Sequence, residues 1–264
     1  GPYRDKKAYD LLIQSESGFV SITGTPDEPS KAGCSIADIA AGMYAYTNIL
    51  AALIERGRTG KGKGIDVSML ESMVEWMGYP LYYAFDGAEP PPRAGAAHAT
   101  IYPYGPFPTG DARIVMLGLQ NEREWVLFCD KVLRQPALAQ DERFSGNARR
   151  SAARDALRAL IVEAFATLSC EQVLQRLEDA QIANAQLRDM AGFWQHEQLS
   201  ARERWRSVDT PAGAVPTLLP PGSWDDGDPR LDAVPALGQH TDAILGELGL
   251  DAPTIATLRA AQAI

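Results

Sequence analysis

The chain has 264 residues, 45% of them hydrophobic and 22% charged, with a formal net charge of −9. That is enough apolar material for a substantial core in one or two domains, and the acidic balance excludes nucleic acid or an anionic membrane as the main partner. Three cysteines (Cys34, Cys129, Cys170) without CxxC spacing and three scattered histidines (His98, His196, His240) exclude a disulfide framework and a zinc site, and point to a reducing compartment. No metal is expected. No apolar run reaches membrane-spanning length and no signal peptide is visible, so a soluble, cytoplasmic protein is expected.

In chain order, residues 9–23 read as strand and turn material closing at Gly24, and 25–32 (TPDEPSKA) as a loop punctuated by Pro26 and Pro29. Met43, Ile49, Leu50 and Leu53 recur at helical spacing, which predicts a helix over about 39–56. It stops in RGRTGKGKG, a basic, glycine-rich end suited to the negative pole of the dipole. Residues 65–68 alternate like a short strand, 69–83 read as a second helix, and GAEPPPRAGAAH as a proline-rich linker. Beyond it the pattern predicts strands over 102–107 and 113–119 about a turn at Thr109-Gly110-Asp111. Helices follow over 122–133, 147–168 and 170–180, their Arg and Glu residues read as solvated surface. A strand starts at 182 and leads into 188–194. From Leu199 the chain reads as strands and loops, then a closing helix over 240–249 and an alanine-rich tail.

Asp38 heads the small-residue, apolar run GCSIADIAAGMYAYTNIL. Near the first turn of the predicted helix, it meets unpaired backbone N–H groups and the positive end of the macrodipole, which favour an anion. Two roles fit that position: an ordinary N-cap, or a nucleophilic carboxylate kept ionised at a helix mouth. The local pattern does not choose between them.

The wider run AYDLLIQSESGFVSITGTPDEPSKAGCSIADIAAGMYAYTNILAALIERGRTGKGKGIDVSMLESMV resembles the signature region of the family III CoA transferases, the CaiB/BaiF group. That family includes formyl-CoA, carnitine and mesaconyl-CoA or dicarboxylate CoA transferases, and the related acyl-CoA racemases. RAGAAHATIYPYGPFPTGD and LGQHTDAILGELGL extend the resemblance, in order, over essentially the whole chain. It implies an α/β fold, part of a Rossmann-like large domain plus a smaller α+β domain, in an interlocked homodimer of ring-shaped chains. Residues 1–90 would be the C-terminal part of the large CoA-binding domain, 91–191 the small domain, and 192–264 a return segment packing on the large domain. Family members carry an upstream βαβ half that supplies much of the CoA pocket. Here the chain opens with Gly1-Pro2, has no initiator Met and no GxGxxG turn. It is therefore expected to be a C-terminal portion, completed by an upstream segment or a separate chain that covers otherwise exposed apolar surface.

The family's acylated aspartate falls on Asp38. Lys7 matches a CoA-contacting lysine, Gln14 a position where transferases carry an amide, and Met69 a pocket-lining methionine. Arg93, Gly95 and His98 align with the glycine-rich loop over the active site. This chain has RAGAAHAT in place of a glycine run, and so resembles dicarboxylate-type enzymes in which an Arg and a His contact a distal carboxylate. Tyr9 stands where the racemases carry the His of a GHD-type motif. A phenol, with its pKa of about 10, is a poor general base at neutral pH, which disfavours racemase chemistry. Structural alternatives stay open: a half-buried strand Tyr9, a solvated Lys7, a satisfied core amide at Gln14, a packing Met69, and a plain linker at Arg93–His98. The implied function is transfer of CoA between small carboxylic acids, C4–C5 dicarboxylates such as mesaconate, succinate or citramalate, through an aspartyl-CoA thioester. The CoA thioester is the cosubstrate, and no bound cofactor is implied. The alternatives are an acyl-CoA racemase or epimerase, and a non-catalytic fragment needing an N-terminal partner.

Overall fold

Helices account for most of the first 83 residues in the computed structural model, which describes residues 1–222, 227 and 229–264. Where strand material was expected over 9–23, the chain forms α1 (Asp10–Glu16) and a single turn, α2 (Phe19–Ile22), separated by Gly18 at φ +80°. Short apolar runs such as Leu11–Ile13 suit either state, and helix closes its own backbone hydrogen bonds without a neighbouring strand. The loop to residue 35 carries an antiparallel bridge between Gly24 and Pro29. Gly24 sits at φ +117°, and a Cβ there would lie 2.3 Å from the Glu28 carbonyl oxygen, so only glycine fits.

α3 (Ile36–Thr59) is about 36 Å long and starts and ends three residues outside the expected 39–56. Gly60 terminates it in the left-handed conformation, its N–H reaching the Arg56 carbonyl at 2.8 Å. Residues 65–68 do not become a strand: they run without a ladder partner, and alternation alone cannot satisfy a strand's amides. The helix expected over 69–83 is broken into α4 (Met69–Glu75) and α5 (Gly78–Tyr83). Pro80 explains the break, since it has no N–H to continue the ladder.

α1, α3 and α4 meet on a small cluster of Ile13, Ala37, Ala40 and Met73, edged by Phe19, Ile36, Met69 and Leu70. Little else of α3 is covered. Ile39, Met43, Tyr46, Ile49, Leu50, Leu53 and Ile54 remain 42–61% exposed, as do Tyr82 and Phe85 beyond α4 at 74–76%. At 24 residues, α3 is also long and apolar enough to cross a membrane, which corrects the expectation that no segment is. One such helix is weak evidence for a membrane protein.

A second, larger core in the same unit (Gly1–Leu187) is built on a three-stranded antiparallel sheet ordered β1 (Tyr104–Pro108), β2 (Ile114–Gly118), β3 (Ala183–Gln186). Phe107 pairs with Val115, and Gly118 lies between Tyr104 and Ala183. Trp125, Phe128, Phe144, Leu157, Ile161, Phe165 and Leu177 fill the space between the sheet and its helices. These are α6 (Glu122–Leu127), α7 (Asn147–Ala152), α8 (Arg154–Phe165) and α9 (Cys170–Asp179). α6 runs on as a π turn (Phe128–Val132), with Leu133 N–H on the Phe128 carbonyl at 2.9 Å. The charges of these helices are not all solvated, as the sequence suggested. Arg150 is buried under Trp125, donates to the carbonyls of Tyr102 and Phe144, and pairs in two bonds with Glu122.

The other unit (Arg188–Ile264) holds α10 (Met190–Trp194), α11 (Glu197–Ala201), a hairpin of β4 (Trp205–Thr210) and β5 (Gly213–Leu218), then α12 (Thr241–Glu247) and α13 (Ala252–Ala260). α13 occupies the alanine-rich tail that sequence left unassigned. Asp251 caps it, accepting from the Thr254 N–H at 2.9 Å, and Pro253 lies in its first turn. The mixture of helix and strand is that of the expected α/β class. Both sheets are antiparallel, and no parallel pair occurs among the described residues.

Candidate active site

α3 begins without a cap of its own: the Ser35 side chain accepts no hydrogen bond from the first turn. Its cap comes from α1. Asp10 Oδ1 accepts from the Ala37 N–H at 2.9 Å, and Asp10 Oδ2 accepts from Gln14 Nε2 at 2.7 Å. The other end of that amide, Gln14 Oε1, accepts from the Ala32 N–H at 2.8 Å. A carboxylate and an amide one helical turn apart on α1 therefore fasten both ends of the segment that enters α3.

Asp38 is the third residue of α3 and is exposed in its first turn. The N-cap alternative does not hold, because Ser35 occupies that position and Asp10 supplies the capping oxygen. What remains is an accessible carboxylate beside peptide N–H groups and the positive end of a 24-residue helix. Such a group can attack an electrophilic carbonyl, while the N–H groups of Ile36, Ala37 and Ile39 around it are engaged by the Cys34 carbonyl, Asp10 and the Ser35 carbonyl.

The other sequence-predicted residues separate into two groups. Tyr9 and Gln14 belong to the start and body of α1, whose Asp10 caps α3, and Met69 edges the cluster that α1, α3 and α4 share. Tyr9 is 68% exposed, with extended backbone at the N-cap position of α1, so it is not a half-buried strand residue. Gln14 is fully buried with both ends of its amide engaged. Met69 opens α4 and packs against the cluster edge, and Lys7 is exposed just before α1.

Arg93, Gly95 and His98 are held elsewhere. Arg93 donates from Nε to the Thr25 carbonyl and from Nη2 to the Pro26 carbonyl, both at 2.8 Å, and from Nη1 to the Ser21 carbonyl at 3.4 Å. Gly95, at φ +63°, donates its N–H to the Gly24 carbonyl at 2.7 Å. Together they strap the linker to the loop after α2. His98 stacks on Tyr104, and its Nδ1 accepts from the N–H groups of Thr100 and Ile101 at 3.2 and 3.1 Å. That places the proton of the neutral ring on Nε2.

Sequence reasoning missed Asp10. Its i, i+4 spacing to Gln14 was visible, but on a helix surface that spacing is commonplace, and nothing local reveals a partner at Ala37. A cleft of about 200 Å³ lies further along α3, lined among others by Tyr44, Asn48, Asp66, Ser68 and Glu71, and none of the sequence-predicted residues line it. Among the described residues, no three His, Cys, Asp or Glu side chains converge where a metal ion could sit.

An α/β chain that presents a carboxylate at the mouth of a long helix, followed by a strapped linker and a three-stranded antiparallel sheet, matches CoA-transferase family III over residues 1–241, and the chain belongs to that family. It is 32% identical over 251 residues to the succinate–glutarate CoA-transferase of Agrobacterium fabrum, covering 94% of this chain and 62% of that protein. With the succinyl-CoA:mesaconate CoA-transferase of Haloarcula marismortui it shares 31% identity over 253 residues, again 94% and 62%. The crystal structure of a CaiB/BaiF family protein from Brucella suis superposes with a TM-score of 0.79 at 34% identity, covering 94% of this chain and 65% of that one. The chain thus spans a little under two thirds of the length of these proteins.

Proposed function

We propose that this chain carries the acyl-accepting carboxylate of a CoA transferase acting on small carboxylic acids, with Asp38 as the nucleophile. The observation that carries the reading is the exposed Asp38 in the first turn of α3, its capping duty taken over by Asp10. In the proposed cycle Asp38 attacks the thioester carbonyl of the donor, giving a mixed anhydride and CoA thiolate. The thiolate attacks the aspartyl carbonyl, releasing the donor acid and leaving an aspartyl-CoA thioester. The acceptor carboxylate attacks that thioester to form a second anhydride, and the returning thiolate removes the new acyl group as its CoA thioester. Each step exchanges one acyl bond for another, so no redox partner is needed.

Succinate, glutarate and mesaconate in the names of the relatives support a C4–C5 dicarboxylate as substrate. Tyr9, an exposed phenol where racemases would carry an imidazole, supports transfer over α-proton exchange. The open apolar faces of α3 and α5 support a site completed by further polypeptide, an upstream segment or a second chain in a homodimer. Water must be excluded while the anhydride and thioester exist, and those faces are where covering chain would do so.

The test is hydroxylamine trapping of the protein incubated with succinyl-CoA, read by mass spectrometry. A hydroxamate is expected on the peptide containing Asp38, and none in Asp38→Asn. An unchanged adduct in the variant would place the nucleophile elsewhere.

A further inference from the structure

We propose that Asp10 and Gln14 are positioning residues for the reaction of Asp38, acting through the peptide segment that carries it and touching no substrate. The proposal rests on the nucleophile reading above.

The argument is one of donor and acceptor parity. The N–H groups of Ala32 and Ala37 can only donate. Gln14 must therefore turn Oε1 to Ala32, which leaves Nε2, another donor, facing α1's carboxylate. Asp10 is then required to accept on both oxygens at once, from Gln14 and from Ala37. An ionised carboxylate does this, and an amide of the same shape cannot. Asp10→Asn puts two donors face to face somewhere in the chain whichever way either amide is flipped. Gln14 is fully buried, so no solvent molecule repairs the mismatch. The segment that loosens is residues 32–37, and the next residue is Asp38.

Parity also supplies the rescue. In the double variant Asp10→Asn/Gln14→Glu, the new carboxylate at position 14 accepts from Ala32 and from the new amide at position 10, whose oxygen accepts from Ala37. All the hydrogen bonds return and the net charge is unchanged. In Gln14→Glu alone, two carboxylates face each other, and the pair closes only when it holds a proton between them.

The readout is the single-turnover rate of hydroxamate formation on the Asp38 peptide with succinyl-CoA in the intact protein, alongside KM for succinyl-CoA. Displacing a reacting atom by about 1 Å costs roughly a hundredfold, so Asp10→Asn should trap about a hundredfold more slowly with KM nearly unchanged. The double variant should recover most of that loss, and Gln14→Glu should trap faster as pH falls, a limb absent from the wild type. Wild-type trapping by Asp10→Asn, or a Gln14→Glu profile identical to the wild type, overturns the proposal. So does a double variant as slow as the single one although amide exchange at Ala32 and Ala37 is protected again. A wild-type protein that traps nothing on Asp38 overturns the nucleophile reading itself, and this proposal with it.

Discussion

Arg93→Ala separates two roles for the conspicuous arginine of the RAGAAH loop. The guanidinium donates to three backbone carbonyls, two in the loop after α2 at 2.8 Å and one within α2 at 3.4 Å. A hydrogen bond from a charged donor contributes about 1.5–3 kcal/mol when its acceptor cannot return to water. These carbonyls lie near the surface and regain solvent, so about 1 kcal/mol for each short bond and less for the long one is the better scale, roughly 2–3 kcal/mol in all. Because every 1.4 kcal/mol is tenfold, that predicts an increase of about 30- to 150-fold in the opening of the strap. Hydrogen exchange reads it directly at the Gly95 amide, which bonds to the Gly24 carbonyl, with Val115 and Phe128 of the larger core as unaffected controls. Arg93→Lys should behave much like alanine, since an ammonium cannot span three carbonyls as a planar fork does. Exchange at Gly95 that stays at the wild-type rate in both variants would refute the strap and return Arg93 to the substrate-contact role that the sequence suggested.

Other outcomes follow from the larger core and the thiols. Arg150→Ala leaves the Tyr102 and Phe144 carbonyls without their donor and removes a cation from the face of Trp125. Denaturant unfolding followed by tryptophan fluorescence should show a loss of about 3 kcal/mol. The bonds from Arg150 also hold the Glu122 carboxyl below its ordinary value. Its contribution to stability is complete above the unfolded carboxylate's pKa and is lost as pH falls through the lower folded one, so the variant should lose this acid limb of the pH–stability curve. Burial pushes the Cys129 thiol up to about 12 and raises Cys170 as well, whereas Cys34 is exposed. Iodoacetamide should label Cys34 in the native protein and the other two only after unfolding, as peptide mapping would show. Equal labelling of all three without denaturant would contradict the buried core.

The antiparallel sheet and the helices of the larger core were the most legible part of the sequence. Its strands and helices are amphipathic and capped by local signals, such as the Ser169–Gln172 capping box. The regions misread are those where a distant partner decides. Residues 9–23 carry short apolar runs without a period, and their helical state shows only in the packing of α1 on α3. The start of α3 slipped by three residues because its cap is supplied from Asp10, whose link to Ala37 has no local signature. The break at residues 76–77 and the helix at the tail were both readable from Pro80 and from the Asp251–Pro253 pair, signals that apolar periodicity and an alanine-rich composition outweighed. At the site, Asp38 was singled out by resemblance, and the structure shows it exposed in the first turn of α3; its reactive role is a proposal. The strap at Arg93 could not be read, because backbone carbonyls leave no mark in a sequence.

The unclothed flank of α3 also has a consequence for how a cell would treat a copy in which it stays uncovered. A stripe of seven bulky aliphatic and aromatic side chains on one rigid rod is the kind of surface that chaperones retain and that drives clumping at modest concentration. Copies with that stripe uncovered are the ones such machinery would hold back or clear.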